Sequence, residues 1–411
     1  MAHVLLVESW VGAMGRLLPR AVLEAGHGFS FLTRDPHHYL RDAPAGGGHP
    51  LLAARNLLTA ETNDVPALLE HVTRLHGAIP FDGVLTSCDY YLETVALLAA
   101  RLGLPGGDPD AVRTAYRKDL SRQAMDRAGV PQPAFALAEG WTEVSRAADR
   151  LGFPLVLKPV DLCAGMYVRR VTDQAELRGA FDAVAGFPVN ARRQPRVPAV
   201  LLEELLTGPE VSVETVTVDG VTTVIGVTDK SLGGATGFVE TGHMFPADLD
   251  GAAAEKTAVA ALEAVGFDQG VAHTELRLTD DGPKVVEVNP RPAGNQITEL
   301  VRRVTGIDLP MVYAQLALGE TPDLSRADTG VGSAAVAFVL PPRAGTVESI
   351  RRWPDDDRIV DWSLCGPGHR AGDASSNNDY LGYVMVVDEK PGAARATAGT
   401  LAAEAEVRYA A

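Results

Sequence analysis

The sequence predicts a mixed α/β fold: a small parallel α/β unit at the N-terminus, then a larger α+β part built on antiparallel hairpins. Three observations predict it. Between His3 and Gly103, short apolar runs alternate with helix-like stretches, the pattern of a parallel sheet covered by helices. Residues 211–218 and 221–228 alternate on either side of Asp219-Gly220, a strong hairpin signal. Residues 271–279 and 283–291 flank Asp280-Asp281-Gly282 in the same way.

In order, 3–8 reads as a buried strand, followed by a turn holding Gly12 and Gly15 and a helix over 16–25. Strands at 29–33 and 81–87 and helices over 65–76 and 91–102 complete the first unit. A strand–turn–helix with glycines can seat a dinucleotide, but GxGxxG is absent, so a purely structural unit is the preferred reading. Leu104-Pro105-Gly106-Gly107-Asp108-Pro109 punctuates the chain and marks a boundary. Beyond it come a helix over 110–128 closed by Gly129, an apolar strand at 155–159, a glycine turn and a helix over 173–185. The Pro- and Arg-rich stretch 187–199 reads as an exposed loop. Helices are expected over 252–265 and 296–305. The C-terminal part carries strands at 334–340 and 383–387 and a final helix from Gly392. No internal repeat is evident.

Among 411 residues, 46% are apolar and 22% charged, which suits a globular chain of two or three domains. The net charge of −16 argues against nucleic acid or an anionic membrane as the main partner, because both need a basic face. It leaves room for an anionic small ligand held by a local cation cluster. Cys88, Cys163 and Cys365 are odd in number and widely spaced, so a disulfide framework is not expected and a reducing cytoplasm is. The N-terminus reads as a strand rather than a signal peptide. No apolar run reaches the roughly 18 residues that span a bilayer.

The second hairpin carries the chemistry. With a three-residue loop, Thr279 pairs with Pro283, which places Glu275 opposite Glu287 and His273 opposite Asn289. The two-residue period puts His273, Glu275, Glu287, Asn289 and Arg291 on one face, and Leu276, Leu278, Val286 and Val288 on the other. A four-residue loop would slip this register. Facing carboxylates, with Cβ atoms about 4.5–5.5 Å apart, repel by about 3–4 kcal/mol at an effective dielectric near 20. A cation or shared proton would relieve this, and Glu, Glu and Asn are oxygen ligands that suit Mg²⁺ bridging phosphates. The competing reading is a solvated polar face. An Asn inside a strand and the prolines at 290 and 292 count against it.

These residues resemble the metal-binding strand of ATP-grasp enzymes, with Glu287-Val288-Asn289-Pro290-Arg291 as the motif and Glu275 where the other metal carboxylate lies. Further matches follow in the family's order. Lys118 resembles the first ATP lysine and Lys158, ending an apolar strand, the second. Glu203-Glu204-Leu205-Leu206-Thr207-Gly208-Pro209-Glu210 resembles the adenine hinge and ribose clamp. The resemblance implies that the backbone of Glu204 and Leu206 meets the adenine edge and that Glu210 accepts the ribose hydroxyls. The loop Asp161–Val168 departs from the pattern, because only Gly165 offers an unhindered backbone approach to phosphate. Cys163 within it reads as a packing residue rather than a nucleophile.

The resemblance implies an ATP-grasp fold with domains at 1–112 (N-terminal), 113–202 (lid), 203–320 (catalytic) and 321–411 (C-terminal α+β extension). It implies ATP and Mg²⁺ as cofactors, with Mn²⁺ as an alternative ion. It also implies joining of a carboxylate to an amine through an acyl phosphate, with ADP released. The stretch 229–249, together with the metal hairpin, is most similar to bacterial L-amino acid ligases, which implies amino acids as small-molecule substrates and a dipeptide or related amide as product. Lys230 would then reach the γ-phosphate, His243 the acyl phosphate and Arg291 the oxyanion and a substrate carboxylate, with His273 in the catalytic set. A lone His before an apolar residue is more often structural; the place of His243 between Lys230 and the hairpin favours the functional reading. Asp89 and Glu93 are candidates for a substrate amino group and equally ordinary helix-start acids, and Gly294 borders the substrate. Alternatives are a carboxylase-type enzyme activating bicarbonate and a catalytically silent nucleotide-binding protein. A homodimer is common in the family.

Overall fold

The computed structural model describes residues 1–10, 12–40, 49–234 and 237–410. Ala235 and Thr236, within the stretch 229–249, lie outside the described residues. As expected, the fold is mixed α/β with a parallel sheet first. Strands Asn56–Thr59, Gly28–Thr33, His3–Val7 and Gly83–Leu85 lie in that order, all parallel. Val4 and Leu6 pack with Met14, Leu18 and Val22 of helix Ala13–Glu24. Leu5 and Val7 pack on the opposite face with Leu68, Val72, Val95 and Leu98. Burial on both faces is why this strand reads as an unbroken apolar run. The expected strand at 81–87 shortens to Gly83–Leu85, because the chain turns at Asp89–Tyr91 before helix Leu92–Leu102.

The single helix expected over 110–128 is two, Pro109–Tyr116 and Lys118–Ala128. Arg117 between them is extended at φ −77, ψ 111. The Lys118 amide donates to the Val160 carbonyl at 3.1 Å, so Lys118 opens the second helix beside strand Leu155–Pro159. Helix propensity gave no warning of this break; a tertiary hydrogen bond causes it.

A second sheet is antiparallel, in the order Phe135–Ala138, Val200–Glu204, Leu155–Pro159, Arg169–Val171. Helices Trp141–Leu151, which sequence reading missed, and Gln174–Ala185 cover it around Leu155, Leu157 and Leu202. The stretch 187–199 is largely the exposed loop expected, but Asn190 and Arg192 within it are only 8% and 5% exposed.

The largest sheet has eight strands, in the order Gly282–Asn289, Gly270–Thr279, Glu210–Val218, Val221–Gly233, Val239–Phe245, Ser333–Val339, Gly382–Asp388, Ile359–Leu364. The C-terminal strands therefore extend the sheet that carries the second hairpin. Helix Ile297–Thr305 packs near the last strands on one face and helix Ala394–Ala403 on the other. At the first hairpin turn Asp219 and Gly220 have φ of 49° and 77°, the two left-handed residues that an Asp-Gly turn requires.

At the second hairpin the predicted register is present at the site, although the predicted turn is not. Thr279 pairs with Gly282 and Leu278 with Pro283. The ladder then shifts between Glu275 and Leu276, so that Glu275 faces Glu287 and His273 faces Asn289. Val286 is the extra residue of this bulge. Its neighbour Val285 enters the core, while Val286, which the simple alternation had assigned to the opposite face, joins Glu287 along the cleft. Among the described residues no helix is long and apolar enough to cross a membrane.

Candidate active site

A cleft of about 650 Å³ is bordered by all the larger sheets. It collects Asp89, Lys118, Lys158, Gly165, Glu203, Glu204, Leu206, Glu210, Lys230, His273, Glu275, Glu287, Asn289, Arg291 and Gly294, nearly the whole set read from sequence.

At one end two lysines face the hairpin. Lys118 Nζ lies 2.8 Å from Glu287 Oε1 and donates to the Leu162 carbonyl at 2.7 Å. Burial alone would lower the Lys118 pKa; Glu287 outweighs it and raises the group. Lys158 Nζ lies 2.7 Å from Glu203 Oε2, and Arg122 Nε lies 2.6 Å from Glu203 Oε1. Arg122 also donates to the Val286 carbonyl at 2.7 Å, which the bulge turns toward the site. Sequence reading missed Arg122. The signal was its place four residues after Lys118, on the same helix face. Glu203 thus spends its side chain on these cations. Glu204 is exposed, and its carboxylate accepts from the Ala134 amide at 3.1 Å. Leu205, Leu206, Val156, Pro133 and Val286 form an apolar slot beside this hinge.

In the centre, one ammonium serves three carboxylates. Lys230 Nζ is 2.7 Å from Glu275, 2.9 Å from Glu240 and 3.1 Å from Glu210. Burial alone would lower the Lys230 pKa, but the carboxylates hold it well above its ordinary value. Burial raises Glu210, while Lys230 outweighs burial at Glu240 and Glu275 and holds both down. His273 bridges a fully buried Glu214, 3.0 Å from Nδ1, and Glu275, 3.1 Å from Nε2. Burial opposes protonation of His273, yet the two carboxylates raise it to about 9. Glu214 and Glu240 were also missed. A carboxylate in an otherwise apolar, alternating strand was the available signal.

At the other end Arg291 Nε donates to Asp89 Oδ1 at 2.6 Å, and Trp10 Nε1 donates to Asp89 Oδ2 at 2.6 Å. Asp89 is 1% exposed. Glu93 stands outside the cleft, 4.0 Å from Arg113. His243 shares the sheet face of Lys230, its pairing partner, but lies beneath the wall at 2% exposure. Its ring meets Phe338 edge-on at 5.5 Å, and Phe338 stacks on Tyr380 at 4.2 Å. His243 Nε2 is 3.2 Å from Glu240 Oε2, outside hydrogen-bond geometry, so it borders the cleft through its contact with Glu240. The loop 161–168 holds Ala164, Gly165 and Tyr167 at φ of 56°, 67° and 59°. A Cβ on Gly165 would meet nothing within 4 Å, so the backbone there is open. Burial pushes the Cys163 thiol up, which removes thiolate character at neutral pH.

The donor set fits a hard divalent cation. Among the described residues no three His, Cys, Asp or Glu side chains form a cage by themselves. Mg²⁺ is, however, commonly held by one or two carboxylates together with substrate phosphates. Glu275 and Glu287, with Asn289 beside them, would supply that pair, and the ammoniums of Lys230 and Lys118 lie against their oxygens here.

Comparison with known proteins bears on the family and the fold. Residues 151–299 match the family described as ATP-grasp domain, 31–106 the ATP-grasp N-terminal domain and 337–410 the L-amino acid ligase C-terminal domain 2. An uncharacterized protein of Sinorhizobium fredii is 30% identical over 334 residues, 80% of this chain and 68% of that one. Alanine–anticapsin ligase of Bacillus subtilis is 26% identical over 277 residues; the match takes in 62% of this chain but only 58% of that protein. The crystal structure of an L-amino acid ligase from Bacillus licheniformis superposes with a TM-score of 0.80 at 22% identity, covering 100% of this chain and 99% of that one, which shows a shared fold.

Proposed function

Because this chain belongs to the ATP-grasp family and is a ligase of the carboxylate–amine type, we propose that it joins the carboxylate of one amino acid to the amine of another. ATP is consumed, an acyl phosphate forms, and ADP and phosphate leave. The observation that carries this reading is the shared cleft in which Lys118 and Lys158 at one end and Lys230 in the centre share space with the Arg291–Asp89 pair at the other end.

In this reading residues 113–202 act as the lid and 203–320 as the catalytic floor. The apolar slot by Leu205 and Leu206 covers adenine, the backbone of Glu204 and Leu206 meets its edge, and Glu210 faces the ribose. Lys118 and Lys158 exchange their carboxylate partners for phosphate oxygens, as flexible point charges can. Lys230 turns from its three carboxylates toward the γ-phosphate. Glu275, Glu287 and Asn289 would hold Mg²⁺, which supplies charge neutralisation at the transferring phosphoryl group. Arg291 leaves Asp89 to meet the substrate carboxylate and the oxyanion of the tetrahedral intermediate, and Asp89 then offers its charge to a substrate ammonium. Glu240 lies where a proton from the attacking amine can be accepted, and His243 supports Glu240 from beneath.

A phosphate-release screen of amino-acid pairs, with mass detection of the product, tests the proposal. ADP formation that needs Mg²⁺ and two amino acids supports it. AMP and pyrophosphate as products, or ADP release driven by bicarbonate alone, would overturn it.

A further inference from the structure

Within the exposed stretch 187–199, the reaction proposed above leaves residues 188–197 without a role. They form a tight loop with much of its length toward solvent, yet Asn190 and Arg192 are buried and the Arg196 side chain is only 4% exposed. Asn190 organises it: its Oδ1 accepts from the amides of Arg192 and Gln194 at 2.9 and 3.1 Å, and its amide donates to the Gln194 carbonyl at 3.0 Å. Val189 and Pro195 bridge the two arms, and Arg193 turns at φ 60°. This geometry pushes Arg192 into the N-terminal unit. Its guanidinium donates to the Ser9 carbonyl and lies over the rings of Trp10 and Tyr39, with centroids 5.6 and 5.3 Å away. Arg34 and Asn63 in turn donate to the Arg192 carbonyl at 2.9 and 2.8 Å.

The base of the loop grips the phosphate-facing segment. Arg196 donates to Asp161 Oδ1 through Nε at 3.0 Å and Nη2 at 2.9 Å, and the Val197 amide donates to Asp161 Oδ2 at 2.6 Å. Tyr116 Oη adds a bond to the Asp161 carbonyl at 2.9 Å. Asp161 opens the loop whose lack of glycine and serine set it apart in sequence. Tyr167 of that loop packs on Phe187 at 5.0 Å between ring centroids.

We propose that residues 188–197 form a two-ended clamp on the cleft, in which Arg192 and Arg196 are positioning residues for different ligands. Arg192 fixes Trp10, Trp10 fixes Asp89, and Asp89 fixes Arg291, so this end sets the substrate wall. Arg196 fixes Asp161, so this end orders the 161–168 loop before nucleotide arrives and replaces the backbone freedom that glycines would supply. Arginine suits both ends, because a planar fork can stack on rings and grip one carboxylate through two nitrogens.

The inference rests on the ligase reading for its substrate end only. The experiment compares Arg192→Met and Arg196→Met in the full chain, with Arg192→Gln and Arg196→Gln held as second variants should either Met form not fold. Three quantities are measured: KM for each amino acid in ADP formation, affinity for MgATP alone, and amide hydrogen exchange of 161–168 without nucleotide. Arg192→Met is expected to raise an amino-acid KM about tenfold while MgATP affinity stays within about twofold, the scale of one lost stacking or charged contact. Arg196→Met is expected to do the reverse: faster exchange at 161–168 and about tenfold weaker MgATP binding, with a smaller effect on the amino acids. Arg192→Lys keeps the charge but not the plane and is expected to behave as Arg192→Met. A general loss of stability would move every quantity in parallel in both variants, and that result overturns the clamp. So does an unchanged exchange rate in Arg196→Met. If the ligase reading itself is wrong, the wild-type chain releases no ADP with any amino-acid pair, whereas MgATP affinity and exchange still judge the Arg196 end.

Discussion

Replacing Glu203 by Gln probes a deeply buried ion-pair cluster of the cleft. The carboxylate sits 2.6 Å from Arg122 and 2.7 Å from Lys158, and all three side chains are buried. At an effective dielectric of about 20, each contact is worth about 6 kcal/mol of Coulomb energy before desolvation is counted. Breaking a buried pair by removing one partner costs about 3–5 kcal/mol in practice, because the other charge stays buried and uncompensated. One carboxylate serves two cations here, so Glu203→Gln is expected to lower stability by about 3–5 kcal/mol, a large part of the about 5–15 kcal/mol available to a typical domain. The pH dependence has a definite sign. Burial alone would raise the Glu203 pKa, but Arg122 and Lys158 hold it below its ordinary value. Its contribution is therefore complete above the ordinary carboxylate range and lost as pH falls through the lowered folded value. The gap between wild type and variant should close in acid. It should also narrow in alkali, because burial already lowers Lys158 and a Lys158 without its partner loses its proton more readily. Urea unfolding followed by tryptophan fluorescence, in acid, near neutrality and in alkali, measures this. A loss under about 1 kcal/mol near neutral pH, or a gap that does not vary with pH, would refute the reasoning.

Other outcomes follow from the same geometry. Lys230→Met should cut turnover by about 10²–10³, read as initial rate at saturating substrates. Glu287→Gln should weaken Mn²⁺ binding in the presence of nucleotide, read by paramagnetic resonance, and raise the Mg²⁺ concentration needed for half-maximal ADP release by about tenfold or more. Gly208→Ala should disorder the hinge, since Gly208 has φ +114° and a Cβ there would lie 2.0 Å from the Leu278 carbonyl oxygen; weaker MgATP binding and a thermal midpoint several degrees lower check it.

Much of the site was legible because strand geometry is local. Alternation and hairpin chemistry placed His273, Glu275, Glu287, Asn289 and Arg291 together, and the structure pairs Glu275 with Glu287. That agreement depended on a compensation invisible in sequence. The ladder closes as Thr279–Gly282, and the Val286 bulge restores the pairing farther along the strands. What stayed hidden was set by contacts between distant segments. Arg122, Glu214 and Glu240 read as ordinary charged residues until folding buries each against a partner 14 to 164 residues away. Arg192 read as solvated for the same reason, since its partner Ser9 is 183 residues distant.

The sequence by itself determined many of the element types, the two hairpins and the order of the ATP-grasp motifs, because these depend on side-chain period, turn residues and spacing. Tertiary structure decided which charges face one another. It split the helix at Arg117 to aim Lys118 at Glu287, hid His243 beneath Phe338, and drove Arg192 of a surface loop into the N-terminal unit. Each of these was decided by burial, where a charge must find a partner and that partner lies far away along the chain.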